Sequence, residues 1–202
     1  LYGLSLVYGA TGKLGLADVT KALEEAPRSP LLMVGVVLVA CGLLEPAGVP
    51  CPPWRLVVLP DDPALGEFRA DFAGAVGVFA PYPQAERDGV PGFLGATEIV
   101  DHLEIYRRLE AGEAEVDADA LLRARLMDVL MGDWDRHRKQ WRWARVPGKA
   151  RFVPIPEDRD QAFSRYEGFA LDRARGTDPR FQEFGPRYAG IGGLTYNGAE
   201  QD

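Results

Sequence analysis

The fold is decided by a stretch that runs Gly132-Asp133-Trp134-Asp135-Arg136-His137-Arg138-Lys139-Gln140-Trp141-Arg142-Trp143 and resumes after the Pro147-Gly148 turn as Phe152-Val153-Pro154-Ile155-Pro156-Glu157-Asp158-Arg159-Asp160. Side chains alternate on both sides of the turn, since Trp141 and Trp143 share one strand face and Arg142 takes the other. This pattern predicts an antiparallel hairpin between Trp141–Arg145 and residues 151–155. A hairpin returns its far end to its near end, so we expect Asp135 and Gln140 to lie close to Asp158 and Asp160.

The residues at that edge are mostly oxygen donors. Two or three carboxylate or amide oxygens beside a separate carboxylate form a set that suits Mg²⁺ bound together with the phosphates of a nucleotide. The alternative is that these acids and arginines are solvated surface pairs that close a hairpin. The sequence therefore predicts a polar site at this edge, and the whole constellation favours the metal interpretation.

A family resemblance rests on the same residues. Asp135-Arg136-His137 followed by Gln140 resembles the Asp-Arg-His-x-x-Asn catalytic loop of the phosphatidylinositol-kinase-like superfamily, which includes lipid kinases, HipA-type kinases and the Golgi casein kinase. Asp158 followed by Phe163 looks like the metal-binding aspartate of those enzymes. The run from Pro156 to Asp160 is also similar to the Pro-x-Asp-x-Asp run of CotH spore-coat kinases. The resemblance covers roughly the last half of the chain.

The resemblance implies a role for each matching residue. Asp135 would orient the acceptor hydroxyl, and Arg136 and His137 would complete and brace the catalytic loop. Gln140 and Asp158 would bind the nucleotide through Mg²⁺, with Asp160 as a further metal ligand. Gln140 departs from the asparagine of many relatives, and its extra methylene shifts the metal-binding oxygen.

The expected fold class is α+β, with an atypical protein-kinase-like fold. The resemblance implies a single domain over residues 1–202 that is a truncated fragment. Residues 1–80 would form the N-terminal lobe and hinge, and residues 81–202 the C-terminal lobe with the catalytic loop.

The amino-acid composition limits the classes of molecule that the chain is expected to bind. The net charge of −7 argues against general nucleic-acid binding, which requires a basic surface. A cluster of basic residues around the hairpin is either a solvated strand face or a phosphate-attracting rim. Two cysteines, Cys41 and Cys51, favour buried thiols over a disulfide or a zinc site. No transmembrane stretch is evident, and the cytoplasm is favoured over an envelope or secreted location.

Several local patterns precede the hairpin. Gly9 to Gly15 looks like the glycine-rich turn of short-chain-dehydrogenase-like NAD(P)-binding domains, but no ribose-reading residue follows it. The apolar run 31–44 predicts a helix that Gly42 ends. Arg55 to Leu59 predicts a strand, and residues 68–79 are strand-like.

Two further helices are expected before the hairpin. Thr97 is expected to cap a helix that includes Ile99, Leu103 and Tyr106. A second helix, 120–131, should end at Gly132 and present Leu122, Leu126 and Val129 as its apolar stripe, with Met127 and Met131 in the core.

The sequence thus predicts a Mg²⁺-dependent phosphotransferase that uses ATP and an unidentified hydroxyl acceptor. Two alternatives stay open. One is a catalytically inactive kinase-like domain that binds nucleotide or serves a structural role. The other is an NAD(P)-binding Rossmann-type protein with its cofactor at Gly9–Gly15.

Overall fold

The computed structural model describes residues 28–164, 173–174, 176–178, 184–188 and 190–199 of the chain. Its elements divide into two compact units, one formed by Leu1–Gly35 with Pro52–Tyr82 and the other by Val36–Cys51 with Pro83–Asp202. The predicted division into lobes at residues 80 and 81 stays a prediction. The Gly9–Gly15 motif lies outside the described residues.

The first unit contains a small antiparallel hairpin. Strand β1 (Arg55–Val58) pairs with β2 (Val76–Phe79), with Val57 opposite Gly77. A 3₁₀ turn (Pro63–Phe68) and the short helix α2 (Arg69–Phe72) connect them, and Asp62 caps the turn by accepting a 2.7 Å hydrogen bond from the Ala64 amide. The predicted strand at residues 55–59 is confirmed, whereas residues 68–79 are strand only from Val76.

Helix α1 (Arg28–Leu44) confirms the helical prediction for the apolar run. Gly42 does not end it, because the helix continues to Leu44 and closes with a 3.0 Å hydrogen bond from the Val49 amide to the Leu44 carbonyl. This turn brings Cys51 back beside Cys41, and the two form a disulfide across a Cα–Cα distance of 5.8 Å. The prediction of two free thiols was therefore wrong.

A three-stranded antiparallel sheet lies at the centre of the second unit, in the order β3-β4-β5. Strands β4 (Trp141–Arg145) and β5 (Val153–Pro156) form the predicted hairpin, with Trp143 opposite Pro154. Strand β3 (Glu98–Val100) pairs with β4 and places Ile99 opposite Ala144. Thr97 was predicted to cap a helix that includes Ile99, and the start of that prediction was wrong. Ile99 lies in a strand, because pairing with β4 outweighs its helical spacing from the apolar residues that follow.

Helix α3 (His102–Glu110) begins one turn later than predicted. Asp101 caps it, since its carboxylate accepts a 3.0 Å hydrogen bond from the Glu104 amide. Ile105 is fully buried, and Leu103 is 66% exposed. The side of α3 that carries Ile105 therefore packs into the core of the second unit.

Helix α4 (Ala118–Met131) has the predicted end, because Gly132 adopts the left-handed conformation at φ 66° that a helix C-cap favours. Its predicted orientation was wrong. Leu122 and Leu126 are exposed, whereas Ala124, Arg125 and Asp128 are buried. Apolar residues occur on nearly every side of this helix, so their spacing could not identify the face that meets the core.

The core of the second unit joins the sheet to α1, α3 and α4. Trp141 and Trp143 stack with ring centroids 6.1 Å apart, and Phe152 is fully buried nearby. Met131 is buried in this core and Met127 is partly buried against it, as predicted. The core thereby fixes the end of α4 and the start of β4. The segment from Asp133 to Gln140 connects these two elements.

Candidate functional site

The hairpin brings together the two segments that sequence analysis singled out. Trp141 pairs with Pro156, and the Glu157 amide donates a 2.8 Å hydrogen bond to the Gln140 carbonyl. Residues 135–140 and 157–160 therefore lie side by side at one edge of the sheet. This part of the geometric prediction is confirmed.

Arg136 is the residue that holds this edge together. Its side chain is fully buried, and its guanidinium donates to the backbone carbonyls of Glu157, Asp158 (2.7 Å) and Gln140 (3.3 Å). It also forms a 2.7 Å ion pair with Asp133. Arg136 thus acts as a clamp between the two segments, and its donors point inward to the protein backbone.

A buried charge network extends from this clamp. Asp128 accepts from Arg125 at 2.8 Å and from Arg159, and it lies 3.4 Å from the Nε of Arg136. Asp133 accepts from Arg136 and, at 3.0 Å, from Arg159. We call Arg125, Asp128, Asp133, Arg136 and Arg159 the charge network; all five are at most 6% exposed.

Electrostatics differ among the arginines of the network. Burial lowers the pKa of Arg136, but the charges of Asp128 and Asp133 outweigh that effect and leave its pKa above the usual value. Burial, reinforced by the neighbouring Arg136, lowers the pKa of Arg159. Arg159 is therefore the less fully compensated cation, because it shares Asp128 and Asp133 with arginines that already pair with them.

Sequence analysis assigned no role to four members of the network: Arg125, Asp128, Asp133 and Arg159. One signal could have found the first two, since Arg125 and Asp128 are an oppositely charged pair three residues apart in a helix. No local pattern marks Arg159, which meets Asp128 only because the hairpin returns the chain to α4.

The carboxylates at the edge form a half-exposed group outside the clamp. Asp135 accepts a 3.1 Å hydrogen bond from the side-chain amide of Asn197, and burial raises its pKa with help from the charges of Asp133 and Asp158. Burial, followed by the charge of Asp158, raises the pKa of Asp160. Asp158 has a positive φ of 53° and accepts a 3.3 Å hydrogen bond from the Asp160 amide, which fixes the turn after β5.

The two remaining predicted residues lie deeper. Gln140 is 8% exposed, and its Oε1 has no hydrogen-bond donor among the described residues. The His137 amide donates a 2.9 Å hydrogen bond to the Asp135 carbonyl, while its buried Nδ1 has no partner within the same part of the chain. No group of three or more His, Cys, Asp or Glu side chains suited to a metal ion occurs in the described ranges.

Basic side chains around the hairpin pair with acids. Arg142 lies 3.1 Å from Glu157. Lys149 lies 3.0 Å from Asp117, and Arg151 lies 2.9 Å from Glu115. Of the two interpretations of the basic cluster, these contacts favour the solvated strand face, on which the basic side chains pair with acids, over a phosphate-attracting rim.

Comparison with known proteins finds similarity to proteins other than the kinases that the motifs resemble. Subunit N of the NADH-quinone oxidoreductase of Desulforamulus reducens is 39% identical over 88 residues, which are 40% of this chain and 18% of that protein. Proteins of the same name from Alkalilimnicola ehrlichii (36% over 92 residues) and Xanthomonas euvesicatoria (46% over 43 residues) also match. These two matches cover 45% and 21% of this chain, and 19% and 9% of the relatives. The chain therefore spans less than a fifth of the length of its curated relatives.

No protein-family model matches the chain, and no solved structure matches it significantly. In the described residues, no helix has the length and apolar character needed to cross a membrane. The architecture of two small antiparallel sheets with helices stands without a structural relative, so the kinase-like fold stays an expectation.

The relatives contradict the kinase interpretation. The resemblance to the kinase superfamilies, the phosphotransferase activity and its inactive kinase-like alternative were wrong, because the three relatives are oxidoreductase subunits. ATP, Mg²⁺ and a hydroxyl acceptor are withdrawn for the same reason, as is the preference for a cytoplasmic location. The motif from Asp135 to Gln140 is short. Its Arg136 is buried and binds backbone carbonyls and Asp133 inside the protein.

Proposed function

We propose that this chain works as a component of an NADH-quinone oxidoreductase, in the manner of a subunit N segment. The proposal rests on three relatives that share one name and are 36–46% identical over the matched stretches. Each match covers less than half of this chain.

A structural role within such an assembly fits the cysteine chemistry of the chain. Iron–sulfur clusters are held by cysteine thiolates, four for the common types. This chain has two cysteines, and both form the Cys41–Cys51 disulfide. We therefore propose that the chain supports the oxidoreductase without holding a thiolate-ligated electron carrier of its own.

For the hairpin edge we propose a structural function. The observation that supports it is the direction of the Arg136 donors, which bind three backbone carbonyls and Asp133 inside the protein. The predicted site residues Asp135 and Gln140 would then fix the start of β4, and Asp158 the end of β5. Removing the Asp135 charge should consequently leave any activity of the assembly unchanged.

The assembly proposal is tested by tagging the chain in its own organism. A detergent extract is separated by native electrophoresis, and NADH-dependent quinone reduction is measured in the gel. We expect the tagged chain to migrate with that activity and with the other oxidoreductase subunits, and deletion of the gene to lower the activity. If the chain migrates apart and deletion leaves quinone reduction unchanged, the proposal fails.

Matched variants separate a structural contribution from a catalytic one. Asp128→Asn disrupts the charge network, whereas Glu115→Gln removes an exposed charge from an ion pair with Arg151. We expect the first to lower the amount of assembled complex and the second to leave it unchanged. Asp135→Asn should assemble and support quinone reduction like the wild type. A loss of activity in a fully assembled Asp135→Asn complex would refute the structural role of that residue.

A further inference from the structure

The outer face of α4 carries a line of exposed leucines. Leu122, Leu126 and Leu130 are 59%, 59% and 60% exposed. Their spacing of four residues places them one above another on the same side of the helix. The opposite side is buried, so the outward face of α4 is lined mainly by leucines, with Asp119 and Arg123 exposed beside them.

A groove continues this line on one side. Leu126, Val129 and Leu130 form one wall, and the segment from Phe184 to Tyr188 forms the other. The volume of the groove is about 800 Å³. The leucines and the groove together form a continuous apolar surface, which we call the leucine face.

Opposite charges mark the two ends of the leucine face. Asp119 is exposed in the first turn of α4, before Leu122. Arg187 is exposed, and its neighbours in sequence, Pro186 and Tyr188, line the groove together with Leu126 and Leu130. Arg187 therefore lies near the C-terminal end of the leucine face. When two such faces are related by a two-fold axis, the acidic end of each meets the basic end of the other.

We propose that the leucine face binds a second copy of this chain, with the two α4 helices antiparallel about Leu126. Leu122 of each copy packs on Leu130 of the other, and Asp119 of each faces Arg187 of the other. This inference does not depend on the proposed oxidoreductase role.

The area of the leucine face determines how strongly the two copies are expected to bind. Three leucines expose a patch of roughly a few hundred Å², about the size of the largest apolar patch on a typical monomer, which is often a functional surface. A stable interface buries about 800 Å² on each copy, so the groove and the flanks of α4 must contribute as well. We therefore expect a reversible dimer with a dissociation constant in the micromolar range.

The test is sedimentation velocity on the full chain from low to high micromolar concentration. We expect a monomer–dimer equilibrium that Leu126→Glu weakens at least tenfold. Leu103→Glu is the matched control, because Leu103 is an equally exposed leucine on α3 that lies off the leucine face. Circular dichroism and thermal melting confirm that both variants fold, and Leu126→Ala serves if the glutamate variant does not.

Two further variants test the geometry. Leu126→Cys should give a covalent dimer under mild oxidation, since the two Leu126 positions meet on the axis, whereas Leu103→Cys should not. Asp119→Arg should weaken the dimer, and adding Arg187→Asp should restore it. A wild-type chain that stays monomeric at every concentration, or a dimer that Leu126→Glu leaves intact, overturns the proposal.

Discussion

Replacing Asp128 with asparagine should be among the most damaging single changes in the second unit. Three arginines converge on this carboxylate: Arg125 and Arg159 donate to it, and Arg136 lies 3.4 Å away. The charge network holds three positive and two negative charges, a net charge of plus one. Asp128→Asn leaves three positive charges around Asp133 alone.

The magnitude follows from that imbalance. Removing one partner of a buried ion pair costs about 3–5 kcal/mol, because the remaining charge is left uncompensated. Asp128→Asn should reach the upper part of this range, since it leaves three cations short of a counterion. A typical domain has about 5–15 kcal/mol of stability, so this single change removes much of it. Arg159→Met should cost less, because it leaves two arginines with two aspartates.

The assay is urea unfolding followed by tryptophan fluorescence, since Trp141 and Trp143 are buried beside the network. Combining Asp128→Asn with Arg159→Met restores the net charge of plus one. The double variant should therefore be more stable than Asp128→Asn alone, with a coupling energy of about 0.5–3 kcal/mol.

Glu115→Gln is the control for this series. It breaks an ion pair whose side chains are 60% and 72% exposed, and it should change the free energy of unfolding by less than about 1 kcal/mol. A loss below about 1 kcal/mol for Asp128→Asn, or a double variant no more stable than the single one, would refute the charge-balance argument.

Other predictions concern single positions. Burial raises the pKa of Asp135 in the folded state, so ionisation of this carboxyl opposes folding. The protonated carboxyl favours the folded state below its ordinary pKa. That contribution is lost as the pH rises through the raised pKa of the folded state. Asp135→Asn should accordingly melt at a higher temperature than the wild type at pH 7, with the difference disappearing near pH 4; an unchanged difference across that range would contradict the assignment. Gly92→Ala should lower the free energy of unfolding by about 1–3 kcal/mol, because its Cβ would lie 2.6 Å from a backbone nitrogen. The Cβ of Gly42→Ala in α1 would meet nothing within 4 Å, so this variant should be neutral or stabilising in the same thermal melts. Reducing the Cys41–Cys51 disulfide should cost about 3 kcal/mol from the loop that it closes, and melting temperatures with and without a dithiol should show it; identical values would mean that the bridge contributes nothing.

Short-range rules were sufficient for several elements. The Pro147-Gly148 turn and the alternation around it predicted the β4–β5 hairpin, because turn geometry and side-chain period are local properties. Gly132 marked the end of α4 for the same reason, since glycine adopts the left-handed conformation at little cost. The predicted meeting of residues 135–140 with 157–160 followed from the hairpin alone.

Residue identity at the hairpin edge did not determine its function. Asp135, His137 and Gln140 matched a kinase loop by type and order, yet the curated relatives are oxidoreductase subunits. A motif of a few residues specifies side-chain chemistry, but the direction of each donor depends on what surrounds it. Arg136 shows this, because its donors turn inward to backbone carbonyls.

The sequence by itself determined the hairpin, the C-terminal end of α4 and the helical state of α1, since each depends on residues within a few positions of one another. Tertiary structure decided the face of α4, the Cys41–Cys51 disulfide and the charge network. These features join residues as far apart as Asp128 and Arg159, whose meeting depends on the path of the whole hairpin. Burying Asp128 on the inward face of α4 requires the counterions that Arg136 and Arg159 bring from other segments, because an unpaired buried carboxylate is costly.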